Sequence, residues 1–194
     1  VQELIARLTK TYITSSNSSV NSTIDNNPTT FPLNQPFYAD FSHDNIIVSV
    51  LTALSLDYFH DPSSLTQFPP NPNCHFILSH LTPFGGRLIT KVIGCSASNP
   101  SPVRDHHVQY TPGQYGYNPS NATNKFIRMR LNNGILPLNS IRGGMCGTST
   151  TGRVDGLCAL QSFVESQANS YALSNYDFAC FGNYTVKNAT SGLT

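Results

Sequence analysis

In the stretch Phe37-Tyr38-Ala39-Asp40-Phe41-Ser42-His43-Asp44-Asn45, followed at once by Ile46, Ile47, Val50, Leu51, Leu54 and Phe59, a strand pattern gives way to a helical one. The apolar and aromatic run behind Pro36 reads as a short buried strand that cannot extend far upstream. The apolar positions after Asn45 have helical spacing. A polar cluster at the C-terminal end of a strand, opening into an amphipathic helix, is where open α/β sheets place their ligands. The helix start adds unpaired N–H groups and a field that favours anions. Within the cluster His43 can donate hydrogen bonds to a phosphate oxygen, and Asp44 can deliver a proton to a leaving alkoxide. An unperturbed aspartate titrates at about 3.9, which suits acidic surroundings. The same four residues also suit a plain helix cap, with Ser42 or Asp44 satisfying the first N–H groups, and spacing alone leaves both readings open.

Upstream, Val1, Leu4, Ile5 and Leu8 recur at helical spacing from the first residue with no capping residue ahead of them, as if the chain began inside a helix. Thr14 to Thr30 is rich in Ser, Asn and Thr and reads as an exposed loop. Downstream, prolines between Asp57 and Pro83 break regular structure around one apolar piece, Phe76 to Leu81. Leu88 to Ile93 is a second strand. Arg104 to Asn124 has no steady period and reads as a surface insertion. Phe126 to Leu131, Asn132-Asn133-Gly134 and Ile135 to Leu138 predict a β-hairpin, because Asn and Gly tolerate the positive φ of tight turns. Cys146 to Cys158 is a Gly- and Thr-rich loop, and Ala159 to Leu173 predicts a final helix.

The 194 residues are 39% hydrophobic, enough for one core, and only 11% charged with a net charge of +1. So weak a field argues against nucleic acid as a partner. The longest apolar stretch, Ile46 to Leu56, is interrupted by Ser49, Thr52 and Ser55 and falls short of the roughly 20 residues a membrane span needs. Acceptor triplets for N-linked sugar begin at Asn17, Asn21, Asn121, Asn183 and Asn188, and several lie where the chain looks most solvated. They favour a secreted, extracellular glycoprotein. The cysteines, at 74, 95, 146, 158 and 180, are odd in number and show no CxxC spacing. In an oxidising compartment that implies a free thiol or a partner on another segment.

The run Phe31-Pro32-Leu33-Asn34 followed by Phe37 to Asn45 resembles the His-Asp signature region of the fungal phytase branch of the histidine acid phosphatases. The resemblance continues in order through Glu3 to Thr9, Pro83-Phe84, Arg87-Leu88, Ile127-Arg128, Pro137-Leu138, the two cysteines 146 and 158, and Ser162-Phe163-Val164. It implies an α/β, phosphoglycerate mutase-like fold, with residues 1–194 as the C-terminal part of the large catalytic α/β domain and a mixed, largely parallel sheet flanked by helices. The smaller helical domain would come mostly from an absent N-terminal part.

The implied activity is hydrolysis of phosphate monoesters, phytate foremost, through a phosphohistidine. Carried over, Asp44 is the proton donor and His43 contacts the phosphate. The nucleophile motif Arg-His-Gly-X-Arg-X-Pro is absent, since no arginine here precedes a histidine. In the family it lies nearer the N-terminus, so an N-terminal fragment of the same enzyme becomes the expected partner. The resemblance further implies that Cys146 and Cys158 bridge each other and that Cys95 and Cys180 bridge to the absent part, leaving Cys74 unassigned. It requires no cofactor and no catalytic metal.

Other readings are weaker. Asp105 with His106-His107, or Cys74-His75 with His80, lacks the paired spacing of a known metal-site class. Tyr110, Tyr115 and Tyr117 suggest a carbohydrate-binding loop, but surface packing of an insertion explains them better. A Ser42-His43-Asp44 hydrolase triad fails, because neighbours on a short turn cannot align nucleophile, base and orienter. The remaining alternative is a secreted, non-catalytic glycoprotein that keeps a phosphatase-like fold and serves in binding or cell-wall attachment.

Overall fold

The computed structural model describes residues 1–60, 66–69, 71–100, 119–146 and 155–183. Helix α1 (Gln2–Thr9) starts at Val1 without a side-chain cap and ends at Lys10 in the left-handed region. The loop that follows contains a short helix α2 (Ser22–Asp25), capped by Asn21. Helix α3 (Asp44–Ala53) then leads to Ser55, whose φ of 54° ends it short of the Phe59 expected from spacing. The apolar piece around residue 80 is a single helical turn, α4 (Leu78–Leu81).

Strand β1 (Leu88–Cys95) pairs antiparallel with β2 (Asn124–Leu131) along its whole length. The hairpin turn is where the sequence placed it, with Asn132 at φ 54°. Its return strand β3 (Gly134–Ile135) is only two residues long before Leu138–Ser140 form a 3₁₀ turn. A last short strand, β4 (Cys158–Ala159), pairs with the other end of β2. The expected final helix is divided into α5 (Leu160–Ser166) and α6 (Ser170–Ser174), and α7 (Tyr176–Phe181) follows.

Helices over a sheet place the chain in the α/β class, but every pairing among the described residues is antiparallel. The part of the sheet seen in the described residues is thus antiparallel rather than largely parallel. The strand expected over 37–41 does not form either. Phe37 and Phe41 are 78% and 95% exposed, and among the described residues α1 holds the segment. The Arg7 guanidinium pairs with Asp40 at 2.6 Å and lies over the rings of Phe31 and Tyr38, while Lys10 lies over Tyr38 as well.

The core lies beneath one face of the sheet. Ile127, Met129 and Leu131 of β2 meet Leu51 and Leu54 of α3, Phe163 of α5, Leu136, Leu138 and Ile141. Alternation along β2 supplies this face, and the i, i+3/i+4 spacing of Ile47, Val50, Leu51 and Leu54 brings α3 onto it. On the other side of α3, Ser49 and Thr52 hydroxyls donate to the carbonyls four residues back. Buried Gln167 and half-buried Arg142 tie the layers together. Gln167 Nε2 donates to the carbonyl of Leu54 at 3.1 Å, and Arg142 Nε donates to that of Ser166 at 2.6 Å.

A disulfide joins Cys146 and Cys158, fully buried and twelve residues apart. Replacing both by alanine should cost about 3 kcal/mol, the chain-entropy value for a loop of this size, read as a lower urea midpoint.

The serine-rich loop is tethered to the C-terminal helices. The hydroxyls of Ser18 and Tyr171 both donate to the Asp177 carboxylate, that of Tyr171 at 2.6 Å. These bonds, Ser18's first, hold the Asp177 pKa below its ordinary value. The unfolded chain therefore takes up this proton first as pH falls. The tether's contribution is complete above the ordinary carboxylate range and is lost below it. Asp177→Ala should lower the melting temperature at pH 6, and the gap to the parent should close as pH is taken down from about 4.

Candidate active site

His43 caps α3 in extended conformation, φ −86° and ψ 160°, with no side-chain capping bond, and its carbonyl accepts the Ile46 N–H at 3.2 Å. Asp44 is the first helical residue. Its Oδ1 accepts the Asn45 N–H at 2.8 Å, which fixes the carboxylate at the helix start. Among the described residues no hydrogen bond reaches the other carboxylate oxygen. Both side chains are exposed, so the pair stands at the head of α3 with one carboxylate oxygen open to a ligand. The capping reading and the chemical one are thus compatible: the backbone of His43 and one oxygen of Asp44 order the first turn, and the imidazole and the second oxygen remain available.

The approach to the pair is positioned by contacts distant in sequence. Arg7 grips Asp40 four residues ahead of Asp44, a contact that no local pattern signals. On the other side the Pro83–Gly86 turn packs against α3 so closely that a Cβ at Gly86 would stand 3.4 Å from Ile47 Cδ1. The exposed Phe84 belongs to this turn. Arg87 follows it, with its N–H held by Asn132 Oδ1 at 3.0 Å and its carbonyl by the Asn132 N–H at 2.7 Å.

Two cavities lie elsewhere, and neither is lined by His43 or Asp44. One of about 430 Å³ is bounded by Tyr58, His80, Asn132 and Pro137, the other of about 200 Å³ by Val48, Asp57, His60 and Phe76. His75 stacks on Tyr58 with ring centroids 4.2 Å apart, and the Cys74 thiol lies 3.4 Å from the Phe76 carbonyl. Among the described residues no three His, Cys, Asp or Glu side chains gather as a metal site would require. Asp105, His106, His107, Tyr110, Tyr115 and Tyr117 lie outside the described residues.

Cys95, half-buried, closes β1, and Cys180 is exposed on α7. The nearby Cys180 sulfur pushes the Tyr176 hydroxyl pKa up, first through the charge of its thiolate form and second by hydrogen bonding. Of the acceptor asparagines, Asn21, Asn121 and Asn183 are exposed, whereas Asn17 is half-buried and its amide donates to Gln2 Oε1 at 3.2 Å. Asn188 lies outside the described residues.

The profile of the histidine phosphatase superfamily (branch 2) matches residues 1–132, which take in α1, the His43-Asp44 pair and the β1–β2 ladder. The chain belongs to that family. Among individual relatives, Phytase A of Arthroderma benhamiae is 33% identical over 178 residues, covering 91% of this chain and 32% of that protein. Phytase A of Emericella nidulans is 35% identical over 146 residues, covering 73% and 30%. Phytase A of Aspergillus awamori is 45% identical over 103 residues, covering 53% and 22%. The chain thus spans a third or less of the length of these three relatives.

Proposed function

We propose that residues 1–194 are the proton-donating, C-terminal part of the catalytic domain of a secreted phosphatase that hydrolyses phosphate monoesters, phytate foremost, through a phosphohistidine. The observation that carries this reading is an exposed Asp44 carboxylate at the head of α3, inside the residues matched to a histidine phosphatase family, with one oxygen unengaged among the described residues. The naming of the relatives as phytases supports the choice of substrate.

In this mechanism a histidine from the N-terminal portion of the same enzyme attacks phosphorus, and the bond from phosphorus to the ester oxygen breaks. Asp44 gives its proton to that departing oxygen. The resulting carboxylate then takes a proton from the water that attacks the phosphohistidine, releasing inorganic phosphate and restoring the acid. His43, beside it at the helix start, donates to a phosphoryl oxygen, and the end of α3 adds its favourable field for the anion. Secretion fits the buried Cys146–Cys158 disulfide and the exposed acceptor sites at Asn21, Asn121 and Asn183. Among the described residues no helix is long and apolar enough to cross a membrane. Cys95 and Cys180 supply the sulfurs for bridges to the N-terminal portion.

The test is phosphate release from phytate at acidic pH by the protein purified from its source, beside its deglycosylated mass with and without reductant. The expected result is release of phosphate by a species that contains residues 1–194 and an Arg-His-Gly segment. If that segment lies on a separate piece, reductant splits the two. A protein with the mass of this chain alone in both conditions, releasing no phosphate, would overturn the reading and leave the non-catalytic glycoprotein in its place.

A further inference from the structure

Between Pro32 and Ser42 the chain makes no backbone-to-backbone hydrogen bond among the described residues. Its peptide groups are left to side chains and water, so side chains hold its path. Those side chains come from the C-terminal end of α1. The Arg7 guanidinium lies 5.4 Å from the ring centroid of Phe31 and 5.2 Å from that of Tyr38, and it bonds Asp40 Oδ2 at 2.6 Å. Lys10 Nζ donates to the Gln35 carbonyl at 3.2 Å and to the Tyr38 hydroxyl at 3.3 Å.

The helix that carries these cations is itself anchored. Leu4, Ile5 and Leu8 pack against the core that α3 and β2 share, and Ala6 is buried with Phe31 and Leu33 in a second, smaller cluster. Helix α1 therefore ties the segment to the core, and Arg7–Asp40 is the tie nearest the site. Only Phe41 and Ser42 separate Asp40 from the His43-Asp44 pair, and His43 is extended, so a shift at Asp40 runs along the backbone to Asp44 with no ladder bond to absorb it. An ordinary surface ion pair contributes little. Here the Arg7 side chain is only 21% exposed, its Nε is buried, and two rings flank the guanidinium, which is stacked and charge-paired at once.

We infer that Arg7 is a positioning residue for proton transfer: through Asp40 it sets where Asp44 stands relative to the departing ester oxygen. The inference rests on the reading of this chain as part of a phosphatase with Asp44 as its proton donor. Among the described residues the polar and ring contacts of Arg7 are with Asp40, Phe31 and Tyr38 and not with the pair itself, so its effect is indirect. A general acid works only within hydrogen-bond reach of the oxygen it protonates. A misplacement of about 1 Å that originates far from the chemistry costs up to about 10²-fold in rate.

The test compares Arg7→Met, Asp40→Ala, Asp44→Asn and the double variant Arg7→Met/Asp44→Asn in the full-length enzyme. Methionine keeps an apolar stem and a good helix former at position 7. Asp40, with its side chain 74% exposed, breaks the same pair from the other end without opening a cavity. Turnover is measured on phytate, whose leaving alkoxide needs a proton, and on p-nitrophenyl phosphate, whose leaving oxygen needs little. Arg7→Met and Asp40→Ala should each slow phytate hydrolysis by about 10–10²-fold and the aryl ester far less. In the Asp44→Asn background Arg7→Met should add little further loss on phytate, because the donor it places is gone. The ratio of the two rates is independent of how much of a variant has folded, so partial unfolding does not imitate this result. Equal losses on both esters in Arg7→Met, an unchanged ratio in Asp40→Ala, or fully additive losses in the double variant would each overturn the inference. An unchanged ratio in Asp44→Asn would sink the proton-donor reading and this inference with it, whereas a shifted ratio there beside an unchanged one in Arg7→Met would sink this inference alone.

Discussion

Replacing Asp44 by asparagine in the full-length enzyme should slow hydrolysis of alkyl phosphates, phytate among them, by about 10²–10⁴-fold, the range for loss of a positioned general acid. An activated aryl ester such as p-nitrophenyl phosphate should lose far less, because its leaving oxygen needs little protonation. The structure makes this substitution clean. Asparagine retains the Oδ1 that accepts the Asn45 N–H at 2.8 Å, so the first turn of α3 keeps its bond. Stability should stay within about 0.5 kcal/mol of the parent, as for other exposed sites without special contacts. Equal losses on both ester types would mean that Asp44 only places the phosphate, and the assignment of proton donation would fail.

Truncating Phe163 to alanine should lower stability by about 3–5 kcal/mol, the largest single loss expected in the described core. Phe163 is 0% exposed and belongs to the cluster that joins Ile127 and Met129 of β2, Leu51 and Leu54 of α3 and the Cys146–Cys158 disulfide. Its removal opens a cavity that no neighbour can collapse into, since the disulfide and the strand ladder fix two of the walls. The urea midpoint should fall while the slope stays the same, and Leu173→Ala, at a position 64% exposed on α6, should leave it nearly unchanged. A loss at Phe163 no greater than at Leu173 would mean that α5 does not pack under β2 in the assembled enzyme.

The start of α3 was legible because the polar run Ser42-His43-Asp44-Asn45 gives way at once to apolar positions at helical spacing. The hairpin was legible in Asn132-Asn133-Gly134, where the turn chemistry is local. Long-range contacts were not. The run at Phe37 to Phe41 has strand composition, yet a strand needs a neighbour to pair with, and here Arg7 and Lys10 hold it along α1 instead. The final helix is continuous by spacing but divides after Ser166, where the carbonyl accepts Arg142 and the next residue, Gln167, turns back to Leu54. The pairing of Cys146 with Cys158 came with the family resemblance and not from spacing.

The structure adds how His43 and Asp44, singled out in the sequence, are held. One oxygen of Asp44 orders the helix and one is left for chemistry, while Arg7–Asp40 and the Pro83–Gly86 turn set the approach from either side. His43 and Asp44 are both exposed on the surface of this chain.

The most direct test of the proposed mechanism is to trap and map the phosphoenzyme. Full-length enzyme is mixed with ³²P-labelled substrate, quenched within one turnover, and digested. The account predicts a label that is labile in acid and stable in alkali, as a phosphohistidine is, on a peptide outside residues 1–194. Label on any peptide within residues 1–194, or phosphate release with no phosphoenzyme at any time, would contradict it.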